Sequence, residues 1–184
     1  MIFILIWIIW CASEIFVNVW MRSGTTDKEG QDKGSLKYIW IVIALAITAG
    51  VLLANYVNFP ISNNQIIPYI GLAMVVAGMI LRFISIWTLG RLFTVDVTIR
   101  DDHKIKKDGA YKFIRHPSYT SSLLSFIGFG VSLNNWLSVI SVTILVIFVF
   151  RYRIKVEEKT LVEHFGSDYS DYMKKTYRLI PWIY

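Results

Sequence analysis

The chain reads as an all-α integral membrane protein of about five transmembrane helices. Three observations predict this class. Apolar residues make up 55 % and aromatic residues 15 % of the 184, above the usual share for a soluble domain. The excess is gathered in long uncharged blocks instead of being spread along the chain. The segments between the blocks are either clearly basic or free of charge, the pattern that fixes crossing direction. One membrane domain, residues 1–184, is expected, with three N-terminal spans in 1–89 and the chemistry in 90–184.

Residues 1–21 form the first span, close to the ~20 residues needed to cross a bilayer. No basic residue precedes Arg22, unlike the charged start of a cleavable signal peptide, so a retained span is expected. A polar loop, 22–37, separates it from the second span, 38–57. An uncharged turn with two prolines and three asparagines, 58–68, leads to the third span, 69–89. Residues 91–117 form a 27-residue polar connector, too long for a mere linker in so short a chain. The apolar runs 118–133 and 136–150 follow, split by Asn134 and Asn135. Each is short for a span, so they are expected to pair as a tight helical hairpin whose inner ends continue into polar helix. In 151–184, Leu161, Val162, Phe165, Tyr169, Tyr172 and Met173 recur at roughly helical spacing, which predicts an amphipathic C-terminal helix.

Charge placement gives the topology. The segments 22–37, 91–117 and 151–184 carry four, seven and seven Lys and Arg residues, while the turns at 58–68 and 134–135 carry none. The basic segments are therefore expected on the cytoplasmic side, with the N-terminus outside and the C-terminus inside. The formal charge of +6 does not point to nucleic acid, because the basic residues alternate with acids beside apolar spans and suit a lipid headgroup surface. The single cysteine, Cys11, leaves no disulfide framework and no Cys-based metal site, so no metal is expected.

Glu14 and Arg82 are the charges left inside the apolar spans, each seven residues from the basic end of its helix. That is about 10 Å of depth at ~1.5 Å rise per residue, so the two are expected at the same level. They read either as a neutralising ion pair or as the polar wall of a substrate cavity.

The connector and the C-terminal segment carry the residues with chemistry, and the hairpin between them brings both to its open end. In 109–119, GAYKFIRHPSY, the proline after His116 removes a backbone donor and keeps the histidine out of helical geometry at the mouth of the next helix. Lys112 and Arg115 suit phospholipid headgroups as well as a bound anion, and Tyr111 and Tyr119 suit an interfacial belt as well as a site. Arg153 and Glu157 are four apart and share a helix face, in the order that stabilises a helix less. An ordinary salt bridge is the simplest reading of that pair taken alone.

Taken together, HKIKKDGAYKFIRHPSY, an apolar hairpin, RIKVEEKTLVEHFGSDYSDYM and a closing RLIPWIY resemble the isoprenylcysteine carboxyl methyltransferase family of integral membrane enzymes. The resemblance covers 89–184 and rests on the RHPSY element, the downstream Arg-x-x-x-Glu-Glu and the FGxxYxxY stretch. It implies transfer of a methyl group from S-adenosylmethionine to the carboxylate of a lipidic acceptor, a C-terminal S-prenylcysteine or similar lipid acid, entering from the membrane lipids. It implies a cofactor pocket of His103, Lys104, Ile105, Lys106, Tyr111, His116, Pro117, Ser118, Tyr119 and Glu157, with Arg153 meeting the acceptor. Lys106 departs from the apolar residue expected there.

That chemistry is consistent with the residues. A carboxylate, with a reference pKa near 4, needs no general base at neutral pH; it needs orientation and loss of water. A planar guanidinium supplies orientation. No glycine-rich dinucleotide loop is present, so a soluble-type methyltransferase fold is not indicated. Three other readings stay open at this point: a phospholipid-type N-methyltransferase, a sterol-reductase-like enzyme using NADPH, and a membrane scaffold without catalysis.

Overall fold

The structure is a computed structural model and describes residues 1–20, 34–93 and 104–181. All regular structure in these residues is helical: α1 (Ile2–Trp20), α2 (Ser35–Tyr56), α3 (Ile66–Leu89), α4 (Pro117–Ser132), α5 (Trp136–Phe165) and α6 (Ser167–Lys175), with single 3-10 turns at Gly90–Leu92 and Gly109–Lys112. Most of the loop expected at 22–37 lies outside the described residues.

Four helices, α1, α2, α3 and α5, are long and apolar enough to cross a bilayer. The fifth expected span, α4, has 16 residues. At ~1.5 Å per residue that is about 24 Å, short of the ~30 Å hydrocarbon core. Two boundaries also differ from expectation. Helix α2 begins at Ser35, not residue 38, and α3 begins at Ile66, so Pro68 sits in its first turn, where a missing N–H costs nothing. The expected continuation of the hairpin into polar helix is seen in α5, a single helix of 30 residues. The apolar run 136–150 is only its first half, and the polar residues from Arg151 onward extend the same helix. The amphipathic C-terminal helix is correspondingly short: α6 has nine residues.

Large apolar side chains such as Ile4, Ile8, Leu45, Ile80, Ile144 and Phe148 stay exposed on the spans, as lipid-facing residues do. Inside, the most extensive contact is between α3 and α4. It depends on small residues: a Cβ added at Gly71 would lie 2.6 Å from the Gly128 carbonyl oxygen, and one at Gly78 would lie 2.6 Å from the Ser121 carbonyl oxygen. Between membrane helices there is little hydrophobic drive, so this close backbone approach is what allows α4 to dock. Helix α5 packs on both α2 and α4, and α1 packs on α3 and, through its tryptophan rings, on α4. An aromatic stack closes the interior, with Trp10 on Phe126 at 4.8 Å, Trp7 on Phe129 at 5.3 Å and Tyr119 on Phe150 at 5.1 Å between ring centroids.

At the uncharged end, the two turns meet. Asn135 caps α5 by accepting from the Ser138 N–H at 3.1 Å, and its Nδ2 donates to the Val57 carbonyl at 2.6 Å. Asn134, at φ 49°, donates through Nδ2 to the Ser62 carbonyl at 2.9 Å. These asparagines tie the hairpin to the α2–α3 turn and set α4 and α5 in register with α3. The basic segments then gather at the opposite end.

Candidate functional site

Pro117 opens α4 and His116 is its N-cap, at φ −123° and ψ 58°, outside helical geometry as the His-Pro order requires. The C-terminal strap holds this corner. Arg115 N–H donates to the Tyr177 carbonyl at 2.8 Å, His116 N–H to the Arg178 carbonyl at 3.2 Å, and Tyr177 N–H back to the Phe113 carbonyl at 2.9 Å. The Thr120 hydroxyl donates to the Leu179 carbonyl at 2.7 Å. The two polar segments that the hairpin was expected to join are thus joined.

Glu157 and Glu158 are neighbours in sequence with different surroundings. Glu158, 5 % exposed at its side chain, receives Arg115 Nε at 2.9 Å, Arg178 Nη2 at 2.7 Å and His116 Nε2 at 3.3 Å. It is a buried charge satisfied on both oxygens, and it fastens connector, α5 and strap together. Glu157, 32 % exposed, accepts from the Tyr119 hydroxyl at 3.2 Å and lies 3.8 Å from His116 Nδ1. Arg153, 2 % exposed, donates through Nη1 to the Ser35 hydroxyl on α2 and also bonds Tyr119. Arg115, by contrast, is taken up by Glu158 and by the Met173 and Thr176 carbonyls, so it does not serve as a headgroup contact.

Around these residues lies a cavity of about 380 Å³. That is within the range of small-molecule sites. From the connector, α5 and α6 its wall takes Lys104, Lys106, Tyr111, His116, Glu157, Tyr169 and Tyr172, with Ile105, Phe93, Leu161 and Phe165 among them. From the spans it takes the apolar Trp10 and Ile15 of α1, Trp40, Ile43 and Ile47 of α2, Phe126 of α4 and Phe150 of α5. Arg153, Tyr119, Ser118, Arg82 and Glu14 line it as well. Glu14 and Arg82 pair, with Arg82 Nε 2.9 Å from Glu14 Oε1 and its N–H not aligned on the oxygen, and both residues line the cavity. Arg82 Nη1 also donates to the Ser118 hydroxyl at 2.8 Å.

Tyr172 donates to the Tyr111 carbonyl at 2.5 Å, and Tyr111 donates to the Ser85 carbonyl at 3.3 Å. Burial, with a smaller contribution from Glu157, pushes the Tyr111 phenol well above its ordinary value, and burial pushes Tyr172 up to about 12. Both remain neutral donors at physiological pH.

Of the residues expected in the site, Lys104, Ile105, Lys106, Tyr111, His116, Ser118, Tyr119, Arg153 and Glu157 line one cavity. Pro117 is buried in the first turn of α4 behind the wall, and His103 lies outside the described residues. Lys106, the departure from the expected pattern, reaches Asp108 at 3.0 Å. Sequence reasoning did not assign Leu161, Phe165, Tyr169 and Tyr172 to the wall, although their helical spacing was visible. Nothing in the sequence pointed to Ser35.

These features define an all-helical integral membrane protein whose cavity is walled by polar residues of the connector, α5 and α6 and by apolar residues of the spans. A model described as the isoprenylcysteine carboxyl methyltransferase (ICMT) family matches residues 70–163, half of the chain. A probable protein-S-isoprenylcysteine O-methyltransferase of Oryza sativa subsp. indica is 32 % identical over 145 residues, covering 77 % of this chain and 76 % of that one. Protein-S-isoprenylcysteine O-methyltransferase B of Arabidopsis thaliana is 37 % identical over 145 residues, covering 76 % and 74 %. The Dictyostelium discoideum protein-S-isoprenylcysteine O-methyltransferase is 29 % identical over 177 residues, covering 95 % and 75 %. A solved structure of the eukaryotic intramembrane Ras methyltransferase ICMT superposes with a TM-score of 0.65 at 27 % identity, over 80 % of this chain and 53 % of that one, so the chain spans about half the length of that protein. The chain belongs to the isoprenylcysteine carboxyl methyltransferase family.

Proposed function

We propose that the protein transfers a methyl group from S-adenosylmethionine to the carboxylate of a lipidic acceptor, an S-prenylcysteine or similar lipid acid, and that the basic end of the molecule faces the cytoplasm. The observation that carries this reading is the cavity beside Arg153, walled by polar residues of the connector, α5 and α6 and by apolar residues of the spans. One reactant is water-soluble and zwitterionic, the other greasy and anionic, and each has matching wall residues.

The polar wall fits the cofactor by the chemistry of its donor set. Glu157 offers a carboxylate to the cofactor's ammonium group, Lys104 and His116 offer donors to its carboxylate, and Tyr111, Tyr169 and Tyr172 offer rings to adenine. When bound, S-adenosylmethionine supplies an electrophilic methyl on a sulfonium that leaves as a neutral thioether. Arg153 receives the acceptor carboxylate and turns one oxygen toward that methyl. Tyr119 bridges Arg153 and Glu157, which keeps the two anchors in fixed relation. The apolar wall of α1 and α2 takes the lipid chain and strips water from the carboxylate, which a hydrated nucleophile requires. No residue need remove a proton, because the acceptor is already ionised.

The test is a binding titration of the detergent-purified protein with S-adenosylmethionine, run beside NADPH and repeated with Glu157→Ala. Saturable S-adenosylmethionine binding, weakened by the substitution, is expected. Binding of NADPH alone would favour a reductase, and binding of neither by a folded sample would leave a membrane scaffold.

A further inference from the structure

We infer that Ser35, the first residue of α2, is a positioning residue for the reaction: it holds the Arg153 guanidinium in the plane from which the acceptor carboxylate is presented. The inference rests on the methyl-transfer reading above and on three observations. Arg153 Nη1 donates to the Ser35 hydroxyl, and both residues are 2 % exposed, so water does not compete for the bond. Ser35 is not on the cavity wall, whereas Arg153 is, so Ser35 acts on the site through the arginine. The junction is rigid: Tyr38, one turn further along α2, packs edge-on against Tyr152 at 5.5 Å between ring centroids, immediately before Arg153.

A hydroxyl is suited to this task. It accepts from one guanidinium nitrogen and gives direction, yet carries no charge of its own, so it does not itself cancel the positive charge that the acceptor must feel. An arginine left with Tyr119 as its tie retains its charge but is free to turn about that one bond, and bidentate recognition depends on a fixed plane. The inference also gives α2 a polar part in the chemistry, beside the apolar wall it lends to the cavity.

The experiment compares wild type, Ser35→Ala, Arg153→Lys and the double variant in detergent, with an S-prenylcysteine acid as acceptor and its methyl ester as a competing ligand. Loss of a hydrogen bond to a charged group is expected to lower kcat/KM for the acid by about 10- to 100-fold in Ser35→Ala, with S-adenosylmethionine affinity unchanged. The preference for binding acid over ester should narrow, because only the acid engages the guanidinium. In the Arg153→Lys background, Ser35→Ala should add little, since the guanidinium whose plane the hydroxyl fixes is already gone. Unchanged kcat/KM in Ser35→Ala, equal weakening of acid and ester, or an undiminished effect in the Arg153→Lys background each overturns the inference while leaving methyl transfer standing. A folded wild type that binds no S-adenosylmethionine overturns the functional reading itself, and the inference with it.

Discussion

Adjacent carboxylates on α5 have separate duties. Residues one apart on a helix point about 100° from each other, and here one direction leads to the cavity and the other to a buried cluster of Arg115, His116 and Arg178. Glu158→Ala should therefore cost about 3 kcal/mol or more, because it strands the buried Arg115 guanidinium. An unfolding midpoint in detergent that does not move would show that the cluster is not a fastening. The Arg153–Glu157 face was readable from spacing alone, since i and i+4 on one helix need no knowledge of the rest of the fold. The duty of Glu158 was not readable: its partners Arg115 and Arg178 stand 43 and 20 residues away in sequence. Ser35 was hidden for the same reason, being 118 residues from Arg153.

Helix existence followed from hydropathy, and helix ends did not. The apolar run ends at Phe150 but the helix continues, as expected: Arg151 to Phe165 contains no glycine or proline and is rich in Arg, Lys and Glu, which propagate a helix well. Gly166, at φ 58°, is where α5 stops. The apolar hairpin was legible, but its docking surface was less so, since small residues in an apolar run carry no hydropathy signal of their own. Gly78 meets α4 backbone, and Gly78→Val should lower stability by about 1–3 kcal/mol through overpacking at the α3–α4 contact. A thermal midpoint equal to wild type would mean that the two helices do not approach so closely.

Across the whole molecule, two uncharged turns close one end and the polar residues of the site gather at the other, joined by five helices of which α4 is the shortest of the bundle. The depth match of Glu14 and Arg82 was legible because rise per residue converts sequence position into depth once span ends are known. Their pairing across α1 and α3 adds a polar tie to a helix otherwise held by apolar and aromatic packing. The double variant Glu14→Gln with Arg82→Met should lose less stability than the two single losses added together, by about 1 kcal/mol or more, because each single change leaves a charge in an apolar setting. Strict additivity in a thermal-unfolding cycle would mean the two charges do not interact.

In the proposed reaction the cavity aims a lipid carboxylate at a bound methyl donor. That reaction is tested most directly by incubating the purified protein with S-adenosylmethionine labelled in its methyl group and an S-prenylcysteine acid, and measuring label in a base-labile ester. Wild type should form the ester, and Arg153→Lys should lose most of that turnover while still binding S-adenosylmethionine, since a point charge does not replace a planar fork. Ester formation undiminished in Arg153→Lys, or labelled product stable to base, would contradict the account.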